Sequence, residues 1–333
     1  MNIVLTGGAG YIGAHTAIKL IESGYDIQIL DNFINSKQSN IRNIENITSS
    51  IVNFERLDIT NIGEIDNFFS NNHVDAVIHF AALKSIPDSK KDPLSYFHNN
   101  VVGSLNLIEI MEKYGVSKMI FSSTASVYSH ENLSPFSESD PIGPKNPYAK
   151  SKLYIEGILK DVSELSGKLN SIVLRYFNPV GAHPSGLIGE DPVQKPNNIM
   201  PIICKVANQE QDRLQIFGKD HKTKDGTGVR DFIHIDDLAS GHIAALEKLK
   251  NDKKINYQIV NLGTGSGHTV LELIEVFQRV NDVHIPYEFT ERRDGDIEIA
   301  YADASFAEEF LSWKSQKNLE DMCKDAWSWS KKK

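Results

Sequence analysis

Five short apolar runs rich in β-branched residues punctuate the first half of the chain: "NIVLT" (2–6), "DIQILD" (26–31), "VDAVIHF" (74–80), "KMIFSS" (118–123) and "SIVLRYF" (171–177). Longer segments of helical periodicity separate them. Strands apolar on both faces, alternating with helices, are what a parallel sheet covered on both sides requires. The expected fold class is therefore α/β, with a doubly wound parallel sheet of Rossmann type.

After Tyr176 the pattern gives way to "NPVGAHPSGLIGEDPVQKPNNIMP" (178–201), whose Pro, Gly and Asn content reads as a binding loop. Helical periodicity returns at "DDLASGHIAALEKLK" (236–250) and strand character at "YQIVNLG" (257–263). The expected organisation is a first domain over 1–177 with re-entry at 231–262. A smaller mixed α/β C-terminal substrate domain is expected over 178–230 and 263–333. A chain of 333 residues, 40% hydrophobic, is long enough to bury both cores.

The first strand runs into "GGAGYIG", where Gly7, Gly10 and Gly13 are spaced G-x-x-G-x-x-G before a helix. A glycine triplet alone is a weak signal. Here a strand precedes it, a helix follows it, and Asp31 ends the second strand 18 positions beyond Gly13. In a dinucleotide fingerprint the first glycine makes the turn, the second admits the pyrophosphate and the third lets helix and strand pack closely. Asp31 would accept from ribose hydroxyls and repel a 2′-phosphate, which points to NAD over NADP.

A net charge of −9 opposes diffuse attraction to nucleic acid or anionic membrane surfaces, so any bound phosphate has to be met locally. Cys204 and Cys323 stand far apart with no zinc-ligand spacing, so no metal site is expected and a reducing cytoplasm fits. No segment reads as a signal peptide or a membrane span. The run "KKK" (331–333) is expected to be a solvated tail.

Tyr148 and Lys152 lie one helical turn apart in "NPYAKSK" (146–152), and Thr124 closes the strand of "FSSTASVY" (121–128). Ligands of doubly wound sheets bind at the carboxyl ends of strands, so the threonine hydroxyl and the phenol are both candidates to face a nicotinamide. A free phenol titrates near ~10 and is a poor base at neutral pH. A neighbouring ammonium, together with a positive nicotinamide ring, would favour the phenolate, allowing Tyr148 to exchange a proton with a substrate hydroxyl while hydride moves.

With these residues in place the chain resembles the extended short-chain dehydrogenases/reductases. "TGGAGYIGAHT", "LDN", "VIHFAALKS", "LRYFNPVGAHPSG", "PNNIMP", "DGTGVRDFIHIDDLA" and "RRDGD" are similar to the motifs of the UDP-sugar 4-epimerases within that family. The resemblance runs from residue 1 to about 330. It implies an NAD-dependent isomerase of galactose metabolism that interconverts UDP-galactose and UDP-glucose through a 4-keto sugar. By resemblance Tyr148 removes the 4′-hydroxyl proton, Thr124 hydrogen-bonds that oxygen, and Lys152 holds the nicotinamide ribose and lowers the tyrosine pKa.

The resemblance also places Gly7, Gly10, Tyr11, Ile12, Gly13, Asp31, Asn32, Asn35, Ser36, Asp58, Ile59, Phe80, Ala81, Ala82, Lys84, Asn99 and Phe177 against NAD, together with Tyr148 and Lys152. On the substrate side it implies Arg230 and Arg293 on the diphosphate, Asp296 on ribose, Phe217 on uracil, and Asn178 and Asn198 near the diphosphate. Ile199, Gln215 and Ala300 join them. Ala300 replaces a bulky tyrosine found in members confined to plain hexoses, implying room for 2-acetamido sugars as well. His79 is expected to be a packed core residue.

The resemblance further suggests a homodimer built on helices of the first domain. A 4,6-dehydratase of this fold would need an Asp-Glu pair directly after the strand hydroxyl, where this chain has Ala125 and Ser126. The sequence also admits a decarboxylase of the same fold or a catalytically silent NAD-binding regulator.

Overall fold

A computed structural model describes residues 1–193, 196–293 and 295–333. In chain order the elements begin β1 (Asn2–Thr6), α1 (Tyr11–Glu22), β2 (Asp26–Asp31), α2 (Ser39–Thr48), β3 (Asn53–Arg56), α3 (Ile62–Asn71) and β4 (Ala76–His79). Then come α4 (Ile86–Lys91), α5 (Pro93–Tyr96), a π-helical turn (Phe97–Val102), α6 (Gly103–Lys113), β5 (Lys118–Thr124), α7 (Pro147–Asp161) and β6 (Asn170–Tyr176). The chain continues with β7 (Asn178–Val180), α8 (Ile199–Ala207), β8 (Leu214–Phe217), β9 (Val229–Arg230), β10 (Phe232–His234), α9 (Ile235–Asn251) and β11 (Tyr257–Leu262). It closes with β12 (His268–Thr269), α10 (Val270–Asn281), β13 (Tyr287–Thr290), β14 (Ile299–Ala300), α11 (Ser305–Leu311) and α12 (Leu319–Lys332).

Two compact units result. The first comprises Met1–Val127, Ile142–Arg175 and Ala239–Val260; the second comprises Tyr128–Pro141, Tyr176–Leu238 and Asn261–Lys333. The return into the first unit is thus shorter than the 231–262 expected from sequence. Tyr128–Pro141 joins the second unit because its backbone is bonded there: Phe136 N–H donates to Tyr301 O at 2.9 Å, and Phe136 O accepts from Asp303 N–H at 2.8 Å.

The parallel sheet of the first unit has strand order β11-β6-β5-β4-β1-β2-β3, as the alternating pattern led us to expect. β1 and β4 are adjacent although not consecutive, so strand order reverses between them and opens a crevice at their carboxyl ends. The apolar runs of β1, β4 and β5 are buried almost throughout, and helices supply the other side of the core through residues such as Leu107, Met111, Ile155 and Leu159.

The second unit contains three small sheets: β7 with β10, β12-β9-β14, and β8 with β13. Its core joins α8, α10 and α12 through Ile203, Leu273, Phe277, Met322 and Trp327, with the Phe277 and Trp327 rings edge to face at 5.9 Å. The terminal lysines are not a free tail. α12 continues to Lys332, whose Nζ donates to Ser185 O at 2.8 Å, and Lys333 pairs with Asp191 at 2.6 Å.

Candidate functional site

The glycine loop lies where β1 meets the crevice of the first unit. Gly7 has φ +69°, and a Cβ there would come within 2.7 Å of Ala81 N, so the loops after β1 and β4 touch backbone to backbone. A Cβ on Gly13 would lie 2.5 Å from Gly7 O and 2.7 Å from Gly8 Cα, which makes glycine the residue that lets α1 fold back on the loop. Around Gly10 a Cβ would meet only Gly7 O, at 3.2 Å. α1 starts here with no side-chain cap and no acidic residue in its first turn. An uncapped helix start at a glycine, which puts no side chain in front of the backbone N–H groups, suits a phosphate.

Asp31 stands at the end of β2, 7% exposed. One carboxylate oxygen accepts from Ala9 N–H at 3.0 Å, and the other from Phe33 N–H at 2.9 Å and Ser36 Oγ at 2.7 Å. The carboxylate therefore braces the glycine loop while retaining about one acceptor site of the four an ionised carboxylate offers. Asn32 donates to Asp58 at 3.0 Å, and Thr60 donates to the same carboxylate through N–H and hydroxyl at 2.8 and 2.7 Å. Burial opposes ionisation of Asp58, but these hydrogen bonds outweigh it and hold its pKa below the usual range.

Across the crevice, Phe80, Ala81 and Ala82 follow β4, with the Phe80 ring 4.9 Å from that of His242. Their loop is fixed by Asn100, a residue the sequence did not single out. Its side chain accepts from Leu83 N–H at 2.8 Å and donates to Leu83 O at 3.0 Å and Ser151 Oγ at 2.9 Å. Asn99 donates to it at 3.0 Å. Both asparagines belong to the π-helical turn, an irregularity that often marks functional positions. Lys84 is exposed, and Asn35 and Ile59 lie on the loops after β2 and β3, Ile59 buried against Gly103.

α7 starts one residue before Tyr148 for local reasons. Asn146 caps it by accepting from Ala149 N–H at 2.9 Å, and Pro147 occupies the first turn. The Tyr148 hydroxyl faces the Thr124 side chain. Burial pushes the phenol up to about 12, with Thr124 opposing. Lys152 is 2% exposed; its Nζ donates to Ser122 O at 2.7 Å and stands 4.8 Å from the centre of the Phe121 ring. Burial pulls its pKa down to about 7, against a raising influence from Glu156.

In the protein alone burial is the largest influence on both groups, raising the Tyr148 phenol and lowering the Lys152 ammonium. His79 is a core residue as expected, between Thr6 Oγ1 at 2.6 Å and Ser104 Oγ at 2.8 Å. Burial and the Lys152 charge depress its pKa to about 3, so it is neutral.

In the second unit, Phe217, Arg230, Arg293, Asp296 and Ala300 form a connected group. β8 alternates so that Leu214 and Ile216 are buried while Gln215 and Phe217 face the other way. The Arg293 guanidinium stacks 3.9 Å above the Phe217 ring. Arg230 and Asp296 form a half-buried ion pair, and Arg293 O accepts from Asp296 N–H at 3.1 Å. The β9–β14 register sets Ala300 beside Arg230. Asp294, in the same motif, lies outside the described residues.

Asn198 donates to Glu190 at 2.6 Å, and Ile199 begins α8. Asn178 is exposed at the start of β7, its N–H donating to Asp231 O at 3.0 Å; Phe177 is buried beside Phe136, ring centres 6.3 Å apart. Asp231 is a further residue missed from sequence. Its carboxylate accepts from Thr264 N–H and Oγ1, Gly265 N–H and Ala302 N–H, which anchors the strand carrying Arg230. The one signal was an acid at the start of the strand-like run "DFIHI".

The model of the NAD dependent epimerase/dehydratase family matches residues 3–263. The chain belongs to this family. A UDP-glucose 4-epimerase of Bacillus subtilis (strain 168) is 47% identical over 329 residues, 99% of this chain and 96% of the relative. Among solved structures, a UDP-glucose-4-epimerase from Stenotrophomonas maltophila with bound NAD and formylated UDP-arabinopyranose is 43% identical. It superposes with a TM-score of 0.97 and coverage of 100% of this chain and 98% of that one. The Bifidobacterium longum UDP-glucose 4-epimerase in complex with NAD+ and UDP gives 0.95 at 43% identity, with coverage of 100% and 98%.

Ala125–Val127 form a 3₁₀ turn in which Ser126 N–H donates to Thr124 Oγ1 at 3.2 Å, and it carries no carboxylate.

Proposed function

We propose that this protein is a UDP-glucose 4-epimerase that works with NAD. The observation that carries this reading is the Tyr148–Thr124 hydroxyl pair without a carboxylate on the turn after it, in a chain whose full-length relatives are epimerases. One site for proton exchange and no acid/base pair for elimination leave inversion at a single carbon as the chemistry this chain can support.

The first unit fits NAD. Gly7, Gly10, Tyr11, Ile12 and Gly13 would hold the pyrophosphate at the start of α1, and Asp31 would take a ribose hydroxyl. Asn32, Asn35, Ser36, Asp58 and Ile59 would surround the adenosine. Phe80, Ala81, Ala82, Lys84, Asn99 and Lys152 would line the remainder. When bound, NAD supplies a hydride acceptor for the sugar C4 and returns the hydride to it. Thr124 and Tyr148 manage the proton of the 4-hydroxyl, and buried Lys152 contributes the positive charge of the reacting face.

In the second unit Arg230 and Arg293 would bind the diphosphate by charge-assisted hydrogen bonds, Arg230 keeping donors beyond those given to Asp296. Phe217 would pack on uracil with the ring face that Arg293 leaves uncovered. Asp296, Asn178, Asn198, Ile199 and Gln215 would complete the nucleotide site.

Asp31 makes the cofactor choice testable. Protein denatured after purification should release NAD, and recovery of NADP would contradict the role given to its carboxylate. Both cysteines are free and buried, which supports a reducing cytoplasm. Among the described residues no helix is long and apolar enough to cross a membrane. Exposed Leu94, Leu105, Tyr154 and Leu165 on and around α5–α7 support a homodimer, which sedimentation would distinguish from a monomer.

Ala300 sets the expected substrate range. Ala300 pairs in register with Arg230, and its small side chain would leave room for an N-acetyl group, which a tyrosine ring would overlap at a cost a packed site cannot relieve. Turnover should therefore extend to UDP-N-acetylglucosamine and UDP-N-acetylgalactosamine, and Ala300→Tyr should lose that pair selectively. A wild-type protein that converts only the plain sugars would refute the role of Ala300; one that converts neither pair would refute the epimerase reading.

A further inference from the structure

Three residues of α7 at i, i+4 and i+8 meet the last three residues of β5. Tyr148 faces Thr124, Lys152 bonds Ser122 O, and Glu156 accepts from the Ser123 hydroxyl. The third contact belongs to a buried charge pair. Glu156 and Arg175 are each 2% exposed; Arg175 Nε donates to the two carboxylate oxygens at 3.1 and 3.2 Å, and one terminal nitrogen donates at 2.5 Å. A buried ion pair is often no more stabilising than apolar residues of the same volume, so its presence under the reacting face calls for another reason.

We propose that the Glu156–Arg175 pair is a positioning unit for the epimerase site: it ties α7 to β5 and β6 in the register that sets Tyr148 against Thr124 and Lys152 on Ser122. This rests on the epimerase reading. A helix lying on a sheet can rotate or slide with little loss of apolar contact, because apolar packing has no direction. Hydrogen bonds have both length and direction, and Glu156 makes them to two strands at once. Ser123 and Arg175 therefore fix the far end of the three-residue ladder, and Tyr148, eight residues back, inherits that alignment.

The charge of Glu156 has a second effect, since it supports the ammonium of Lys152 one turn away. The other titratable groups facing this cluster are His79 on β4, Tyr257 on β11 and Tyr96 on α5.

The test uses holoenzyme carrying Ser123→Ala, Glu156→Gln, or Glu156→Met combined with Arg175→Met. For each, kcat, KM, thermal midpoint and the NAD retained after gel filtration are measured. Misplacement of the phenol by a fraction of an ångström should lower kcat about tenfold to hundredfold in the two Glu156 variants, and less in Ser123→Ala. KM and retained NAD should stay near wild type, and the alkaline limb of the kcat profile should move to lower pH in Glu156→Gln. The doubly apolar variant should fold yet keep the kcat defect, which a purely structural pair would not show. Should Glu156→Gln fail to fold, Ser123→Ala and the double variant decide. Wild-type kcat and pH profile in the folded variants would overturn the proposal, whereas an inactive wild type would instead overturn the epimerase reading.

Discussion

Tyr148→Phe is expected to reduce turnover of UDP-galactose by roughly 10²–10⁴-fold, the range lost when general acid–base catalysis is removed. The substitution deletes only the hydroxyl. Asn146 still caps α7, Pro147 still starts it, and Lys152 still bonds Ser122 O, so the helix and its packing should persist. Bound NAD should remain because the loop that cradles it rests on Asp31 and on glycine packing. The measurement is kcat together with released NAD per subunit. Near-wild-type turnover would remove Tyr148 from proton transfer, and loss of NAD would show that the phenol holds the cofactor instead.

Gly13→Ala should have the second large effect, on stability and cofactor retention together. The added methyl would sit 2.5 Å from Gly7 O and 2.7 Å from Gly8 Cα, both backbone atoms that no rotamer change can move. Relief requires α1 or the loop to shift, and over-packing of this kind costs typically ~1–3 kcal/mol. Any shift also moves the helix start that would meet the pyrophosphate, so the variant should purify without NAD and unfold at lower temperature. Gly24→Ala serves as contrast: its Cβ would meet nothing within 4 Å, but its φ of +80° adds backbone strain alone. That variant should lose some stability and keep its NAD. If Gly13→Ala retained full NAD content, close packing at that glycine would not be what shapes the cradle.

The part of the site legible in the sequence is the part built from consecutive residues. β1, the glycine loop, α1 and Asp31 form one βαβ unit whose spacing is fixed by backbone geometry, and Tyr148 and Lys152 share a helix face for the same reason. Side chains whose partners come from distant strands could not be read in this way. Glu156 carries no mark of its own in the sequence, because its partner Arg175 stands 19 residues on in another element. Asp231 and Asn100 work through backbone groups, which carry no sequence signature.

The pairing of Arg230 with Asp296 was hidden for a related reason: each side chain suited a ligand by itself, and only the fold brought them together. The lysines at the C-terminus are exposed, as a charge run suggests, but their partners Ser185 O and Asp191 lie far away in sequence and could not be read from composition. The pKa directions of Tyr148 and Lys152 were likewise out of reach. Spacing shows that a phenol and an ammonium are near in sequence, whereas burial decides what each does with its proton.

The purified protein should invert the sugar C4 with its own NAD and return the same hydrogen it removed. Incubation with UDP-galactose in heavy water, with no nicotinamide cofactor added, should therefore yield UDP-glucose carrying protium at C4. Deuterium at C4, or no conversion by protein shown to contain NAD, would overturn this mechanism.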